Sequence, residues 1–266
     1  MLFPDATRVI YKDNPLHQVI CQLRFPPILR IDTENPTVFQ ERIRHTFPEF
    51  RVLYDDTQDS LPKSLSEGLP PEMRNLLSPK SNPRFQFYIR DDSWVVTLAK
   101  DFLALETSKY SRWEEFRDLT ELALKALSEV YEPAYFTRIG LRYRNVIDRK
   151  RLGLGDAEWR TLIEDFVLGH LARTETSGSI MEQHSKYLLK LNEDGDLVRM
   201  EYGQVTYTTG DPGNLLYLLD HDFYTNEKME KKDVINRLAA YNSLNGRLFH
   251  WCIKESLHDA MRPEPA

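Results

Sequence analysis

The sequence predicts an α+β protein made of two successive β-α-β4-α units, an internally duplicated antiparallel sheet with its helices on one face. Three observations lead there. Short segments in both halves alternate apolar and polar residues at the strand period of two. Two long segments, 112–130 and 233–261, repeat apolar residues at helical spacing instead. The order strand, helix, four strands, helix then runs twice, with halves 1–132 and 133–266 meeting near Glu132-Pro133 and free to form one continuous domain.

The first unit opens with a strand over 19–25, whose Val19, Cys21, Leu23 and Phe25 share one face. Pro26-Pro27 ends it, because proline has no N–H for the ladder. Asn35-Pro36 reads as an N-cap and first helical residue, with Val38, Phe39, Ile43 and Phe47 turned inward and a stop before Pro48. A short strand over 50–54 follows. Segment 55–83 carries Pro62, Pro70, Pro71, Pro79 and Pro83 among many polar residues, and predicts a long, loosely packed loop with at most one helical turn near 73–77. Three strands come next, at 84–90, 94–100 and 103–107, the first two joined by Asp91-Asp92-Ser93. Ser111-Arg112-Trp113-Glu114 has the form of a capping box, and Trp113, Phe116, Ala123, Leu127 and Val130 line the helix that it opens.

The second unit repeats this order. A strand over 135–147 places Ile139, Leu141, Tyr143 and Ile147 on one face, and its Gly140-Leu141-Arg142-Tyr143 aligns with Gln22-Leu23-Arg24-Phe25. A helix with Trp159, Leu162, Ile163 and Phe166 buried follows Gly153-Leu154-Gly155-Asp156. Strands are expected at 179–185, 187–192, 197–206 and 215–219, with Asp194-Gly195 as a hairpin turn. The closing helix carries Val234, Leu238, Tyr241, Leu244, Leu248, Trp251 and Cys252.

At 266 residues and 41% hydrophobic, the chain can bury a sizeable core. Its formal charge of −6 and the absence of a basic arm weigh against general duplex binding, which draws on Lys and Arg facing phosphates. The 2 cysteines, Cys21 and Cys252, sit in apolar stretches and predict buried free thiols in a reducing compartment. The N-terminal residues lack a signal-peptide pattern, and no apolar run reaches the roughly 18 residues of a membrane span. A cytoplasmic location without a membrane partner is therefore expected.

The duplicated element order resembles the architecture of the TATA-box-binding protein, in which two such halves make a saddle. DNA binding does not follow from it: that protein is basic and wedges paired Phe residues into the minor groove, whereas this chain is acidic and matching wedge positions are not identifiable. Residues 14–29, Asn-Pro-Leu-His-Gln-Val-Ile-Cys-Gln-Leu-Arg-Phe-Pro-Pro-Ile-Leu, resemble the opening of a sporadically distributed family of uncharacterised bacterial proteins of similar length. That resemblance implies a setting in mobile defence or toxin–antitoxin loci, and brings no catalytic residues with it.

Candidate chemistry is sparse. None of the 7 histidines stands in an H-E-x-x-H pattern, and no P-loop or G-x-S-x-G occurs. His221-Asp222 reads as a strand-end His beside a turn rather than half of an acid–base pair. Glu182 and His184 share a strand parity but are too few for a metal site, and Gly153-x-Gly155 reads as a plain turn rather than a phosphate cradle. No catalytic residue, metal or cofactor is assigned.

The strongest polar pattern is a set of arginines. Arg138, Arg142 and Arg144 alternate with Ile139, Leu141 and Tyr143, so they project from the face opposite the core. Arg24 holds the equivalent place in the first half, and Tyr88 lies opposite Phe87 and Ile89. Arg interleaved with Tyr is the composition of a binding surface, and cross-strand acids on a solvated face are its plain alternative. The sequence thus predicts a non-enzymatic binding or regulatory protein, antitoxin-like or part of a defence locus, using Arg24, Tyr88, Arg138, Arg142 and Arg144 toward a protein partner. Nucleic-acid binding and an enzyme without a recognisable motif are the alternatives, and homo-oligomer formation is compatible with either.

Overall fold

The computed structural model describes residues 2–54, 82–206 and 214–266. In chain order its elements are β1 (Val9–Tyr11), β2 (Leu16–Arg24), α1 (Arg30–Thr33), α2 (Thr37–Ile43), β3 (Glu49–Tyr54), β4 (Pro83–Tyr88), β5 (Trp94–Ala99), β6 (Phe102–Thr107) and α3 (Trp113–Tyr131). Then come β7 (Arg138–Ile147), α4 (Asp165–Leu168), α5 (Thr174–Ser177), β8 (His184–Lys190), β9 (Asp196–Val205), β10 (Leu216–Thr225), α6 (Lys231–Cys252), α7 (Glu255–Ala260) and β11 (Pro263–Pro265).

The large strands form one open antiparallel sheet in the order β3-β4-β5-β6-β2-β7-β10-β9-β8. The opening strands of the two halves, β2 and β7, pair at its centre, with Cys21 opposite Leu141 and Arg24 opposite Arg138. Outward from that pair, each wing adds its strands in reverse chain order. The protein is therefore an α+β fold with an unclosed antiparallel sheet, as the alternation predicts.

Strand parity sorts the side chains onto two faces. Val19, Cys21 and Leu23 of β2, Ile139, Leu141 and Tyr143 of β7, and Leu219 and Phe223 of β10 join one buried cluster with Phe116 and Leu127 of α3 and Leu238 and Leu248 of α6. Phe39, Ile43 and Phe47 extend the cluster beneath β4, where Phe39 meets Phe87. The described helices pack on this side. On the opposite face β2 shows Gln18, Ile20, Gln22 and Arg24, all part-exposed or exposed. A small second cluster, Val146, Leu216 and Leu218, closes one end of that face.

Several local expectations are corrected. Val38 is 59% exposed, because α2 turns only Phe39 and Ile43 inward. The N-cap of α2 is Pro36 rather than Asn35. Ser111 does not cap α3: Arg112 is its N-cap with no side-chain cap bond, the Ser111 hydroxyl bonds Glu115, and Glu114 pairs with Arg8. The single helix expected after Gly155 is a series of short turns that buries Trp159, Leu162 and Ile163 but leaves Phe166 out, its ring tilted against Trp251 at 4.5 Å. The two strands expected at 179–192 are one strand, β8, so among the described residues the second half adds three strands to the large sheet after β7 and not four, and β11 pairs with β1 instead. The last helix breaks at Ile253 and resumes as α7, which leaves Trp251 39% exposed. Nearly all of the expected 55–83 loop lies outside the described residues.

Candidate functional site

The arginines lie on the open face, as parity requires, but their charges are answered from within the sheet. β10 pairs with β7 so that Asp220 stands opposite Arg144 and Asp222 opposite Arg142. The Arg142 guanidinium donates to both carboxylate oxygens of Asp220 at 2.7 and 2.6 Å, and Arg144 Nε adds a third bond at 3.1 Å. The Asp220 side chain is only 3% exposed. A carboxylate this deep needs such charge-assisted, fork-shaped donors to offset its lost hydration. Asp220 in turn holds the Arg142 guanidinium above its ordinary pKa.

The network continues sideways across four strands. Arg144 donates to Gln18 of β2 at 3.1 Å, and the Gln18 amide donates to Glu106 of β6 at 2.6 Å. One turn of the pleat away, Arg138 donates to Asp222 at 3.0 and 3.3 Å and to Gln22 at 3.2 Å, and lies over the Tyr224 ring at 4.6 Å. Gly140 makes this reach possible: a Cβ there would stand 2.5 Å from the Arg138 guanidinium. Burial raises the pKa of Asp222, against the opposing pull of Arg138, Arg142 and Arg199. Farther out, Lys186 of β8 bonds Glu201 of β9 at 2.7 Å and holds that carboxyl below its usual range.

Of the residues chosen from sequence, the structure brings together Arg138, Arg142 and Arg144, with Arg24 beside Arg138 in the register. Arg24 makes only a peripheral contact with Asp101, at 3.5 Å. Tyr88 is not part of the group. It sits on β4, four strands from β7 and about 19 Å away at ordinary strand spacing, where its hydroxyl bonds Gln86 and Arg51 stacks on its ring. Arg138, Arg142 and Arg144 have cross-strand acid partners, the plain alternative that the sequence also offers, and anchor buried Asp220 and Asp222.

His221 is neither a strand-end residue nor an exposed base. It is fully buried in mid-β10, its Nδ1 is 3.1 Å from Asn245 Oδ1, and its Nε2 has no hydrogen-bond partner among the described residues. Burial lowers its pKa to about 4, so it is neutral at pH 7. His184 approaches Glu201 at 3.9 Å, and among the described residues no group of three or more His, Cys, Asp or Glu could hold a metal ion. Cys21 and Cys252 are buried free thiols, each with its pKa pushed up to about 12.

A second feature escaped the sequence reading. On the helix side, the N-terminal segment, the start of α3 and the face of α6 enclose a cavity of about 460 Å³. Asn145, Asn242 and Asn245 line it. The signal was an inward pair of asparagines on a helix otherwise apolar on that side. No helix among the described residues is long and apolar enough to cross a membrane. Neither a family model nor a curated protein matches the chain.

Proposed function

We propose that this is a non-enzymatic binding and regulatory protein whose open sheet face meets a protein partner. One observation carries the reading: among the described residues the helices pack on one side of a nine-stranded sheet, and the other side presents a locked lattice of Arg, Asp, Gln and Tyr. Side chains fixed in advance lose little entropy on docking, which is the main cost of binding through long residues. The charges on the central strands nearly cancel, with Arg24, Arg138, Arg142, Arg144 and Arg199 against Glu106, Glu201, Asp220 and Asp222. Such a balance suits a mixed polar protein surface better than a phosphate backbone, which rewards uncompensated cations. A cytoplasmic setting fits the two buried thiols, and an antitoxin or defence role rests on the resemblance of residues 14–29 alone. The mirrored strand order supports reading 1–132 and 133–266 as two copies of one unit.

The test is site-specific photocrosslinking in cells with benzoylphenylalanine at Ile20, on the open face, and at Val38, on α2. The reading expects one discrete adduct from Ile20, its loss on adding Arg144→Glu, and none from Val38. In parallel, labelled single- and double-stranded oligonucleotides should show no binding that steepens as salt falls from 200 to 50 mM. A steep salt dependence would establish the nucleic-acid alternative instead.

A further inference from the structure

The cavity on the helix side is built, and its construction points to a ligand. It lies across the sheet from the open face and stands independently of that reading. Asn145 and Asn245 are 3% and 8% exposed, deep for side chains this polar. Of the four asparagines in the lining, Asn14 uses both ends of its amide, toward Tyr110 and Leu16, and the other three each spend one end within the protein. Asn242 Oδ1 accepts from the Tyr143 hydroxyl at 2.8 Å, Asn245 Oδ1 meets His221, and Asn145 Nδ2 reaches the Leu219 carbonyl at 3.4 Å. The other ends, two N–H2 donors and one carbonyl acceptor, have no partner among the described residues. Unsatisfied amides in a recess are costly unless water or a ligand meets them.

Gly246 is an independent sign. It lies inside the 22-residue helix α6, where glycine costs about 1 kcal/mol relative to alanine. No close packing requires it, since an added Cβ would meet nothing within 4 Å. It is exposed and stands in the lining of the cavity. Tyr110 and Phe249 supply aromatic walls, and Arg8 and Arg112 stand in the lining. Arg8 is paired with Glu114 at 2.8 Å, whereas Arg112 is exposed and forms no ion pair with the described residues.

We propose that this cavity binds a pyrimidine nucleotide of the uracil type. The free amide ends, two donors and one acceptor, match in number the two carbonyls and one N–H on the edge of uracil. The aromatic residues flank the flat ring, and Arg112 meets the anionic phosphate. A third arginine of the lining, Arg247, is paired with Asp5 at 3.0 Å.

Isothermal titration calorimetry tests this with UMP, CMP, AMP, uridine and inorganic phosphate as probes. UMP is expected to bind at least tenfold more tightly than CMP, whose edge presents a donor where uracil has an acceptor, with inorganic phosphate inert. Gly246→Leu fills the void and raises helix propensity, so it should keep or raise the melting temperature while weakening UMP at least tenfold. Arg112→Ala, at an exposed site, should weaken UMP severalfold and leave uridine unchanged. The proposal is overturned by no UMP binding at 5 mM, by equal binding of UMP and CMP, by a preference for AMP, or by UMP binding that survives Gly246→Leu in a folded protein.

Discussion

Two polar networks lie one residue apart along the same strands, and their chemistry is opposite. On the open face Arg142 and Arg144 are linked by short bonds to Asp220, and Arg138 to Asp222. On the helix face the alternate residues Tyr143, Asn145 and His221, with Asn242 and Asn245 of α6, form a network of neutral groups. Water access is the difference. The Arg142 and Arg144 side chains keep 38% and 35% of their exposure, so the guanidinium groups remain partly hydrated while they satisfy Asp220. His221 keeps none, and burial holds it neutral. A buried polar group persists either with a partly wet partner of opposite charge or without charge at all.

The largest effect is expected on the charged side. Asp220→Ala removes the acceptor for three charge-assisted bonds, and should cost about 3 kcal/mol by urea denaturation, the low end for breaking a buried pair because both arginines can rehydrate. The neutral side responds to acid. Burial lowers the His221 pKa to about 4 from its ordinary 6.5, so between those values the unfolded chain takes up a proton that the folded one refuses, and stability falls as pH falls. This residue should contribute a loss of about 2 kcal/mol by pH 5. His221→Gln should remove that part of the difference between urea midpoints at pH 7 and pH 5, and an unchanged difference would show that His221 protonates within the fold.

These networks also mark what could be read from the sequence. Alternation along 138–147 was enough to put the arginines on the face opposite Leu141, because parity is a local property of one strand. Their partners were invisible for the complementary reason. Asp220-His221-Asp222 interrupts an apolar run and resembles a turn, so the sequence predicts a strand ending at Leu219 where β10 runs on to Thr225. Only the pairing with β7 shows that two acids in a central strand are answered by arginines. Asn242 and Asn245 were passed over in a helix read for its apolar stripe, since their role depends on Tyr143 and His221 from distant segments.

The smallest effect belongs at the margin of the charged network. Arg24 and Asp101 are 48% and 36% exposed and 3.5 Å apart, so Arg24→Glu should change stability by no more than about 0.5 kcal/mol. The same reversal at Arg142 places a carboxylate beside buried Asp220 and should cost several times more, so reversing Arg24 and Arg142 together would not leave the fold undisturbed. Equal costs at Arg24 and Arg142 would erase the distinction between the centre and edge of the open face.

The claim that the open face is a locked, pre-built surface is tested most directly by a double-mutant cycle on Arg142 and Asp220. Stabilities of the wild type, Arg142→Ala, Asp220→Ala and the double variant, from urea denaturation at pH 7, isolate the energy of this pair with Arg144 present throughout. The bidentate bond at 2.7 and 2.6 Å predicts a coupling of at least about 1 kcal/mol. A coupling within about 0.3 kcal/mol of zero would contradict it, and would leave the arginines as mobile surface charges.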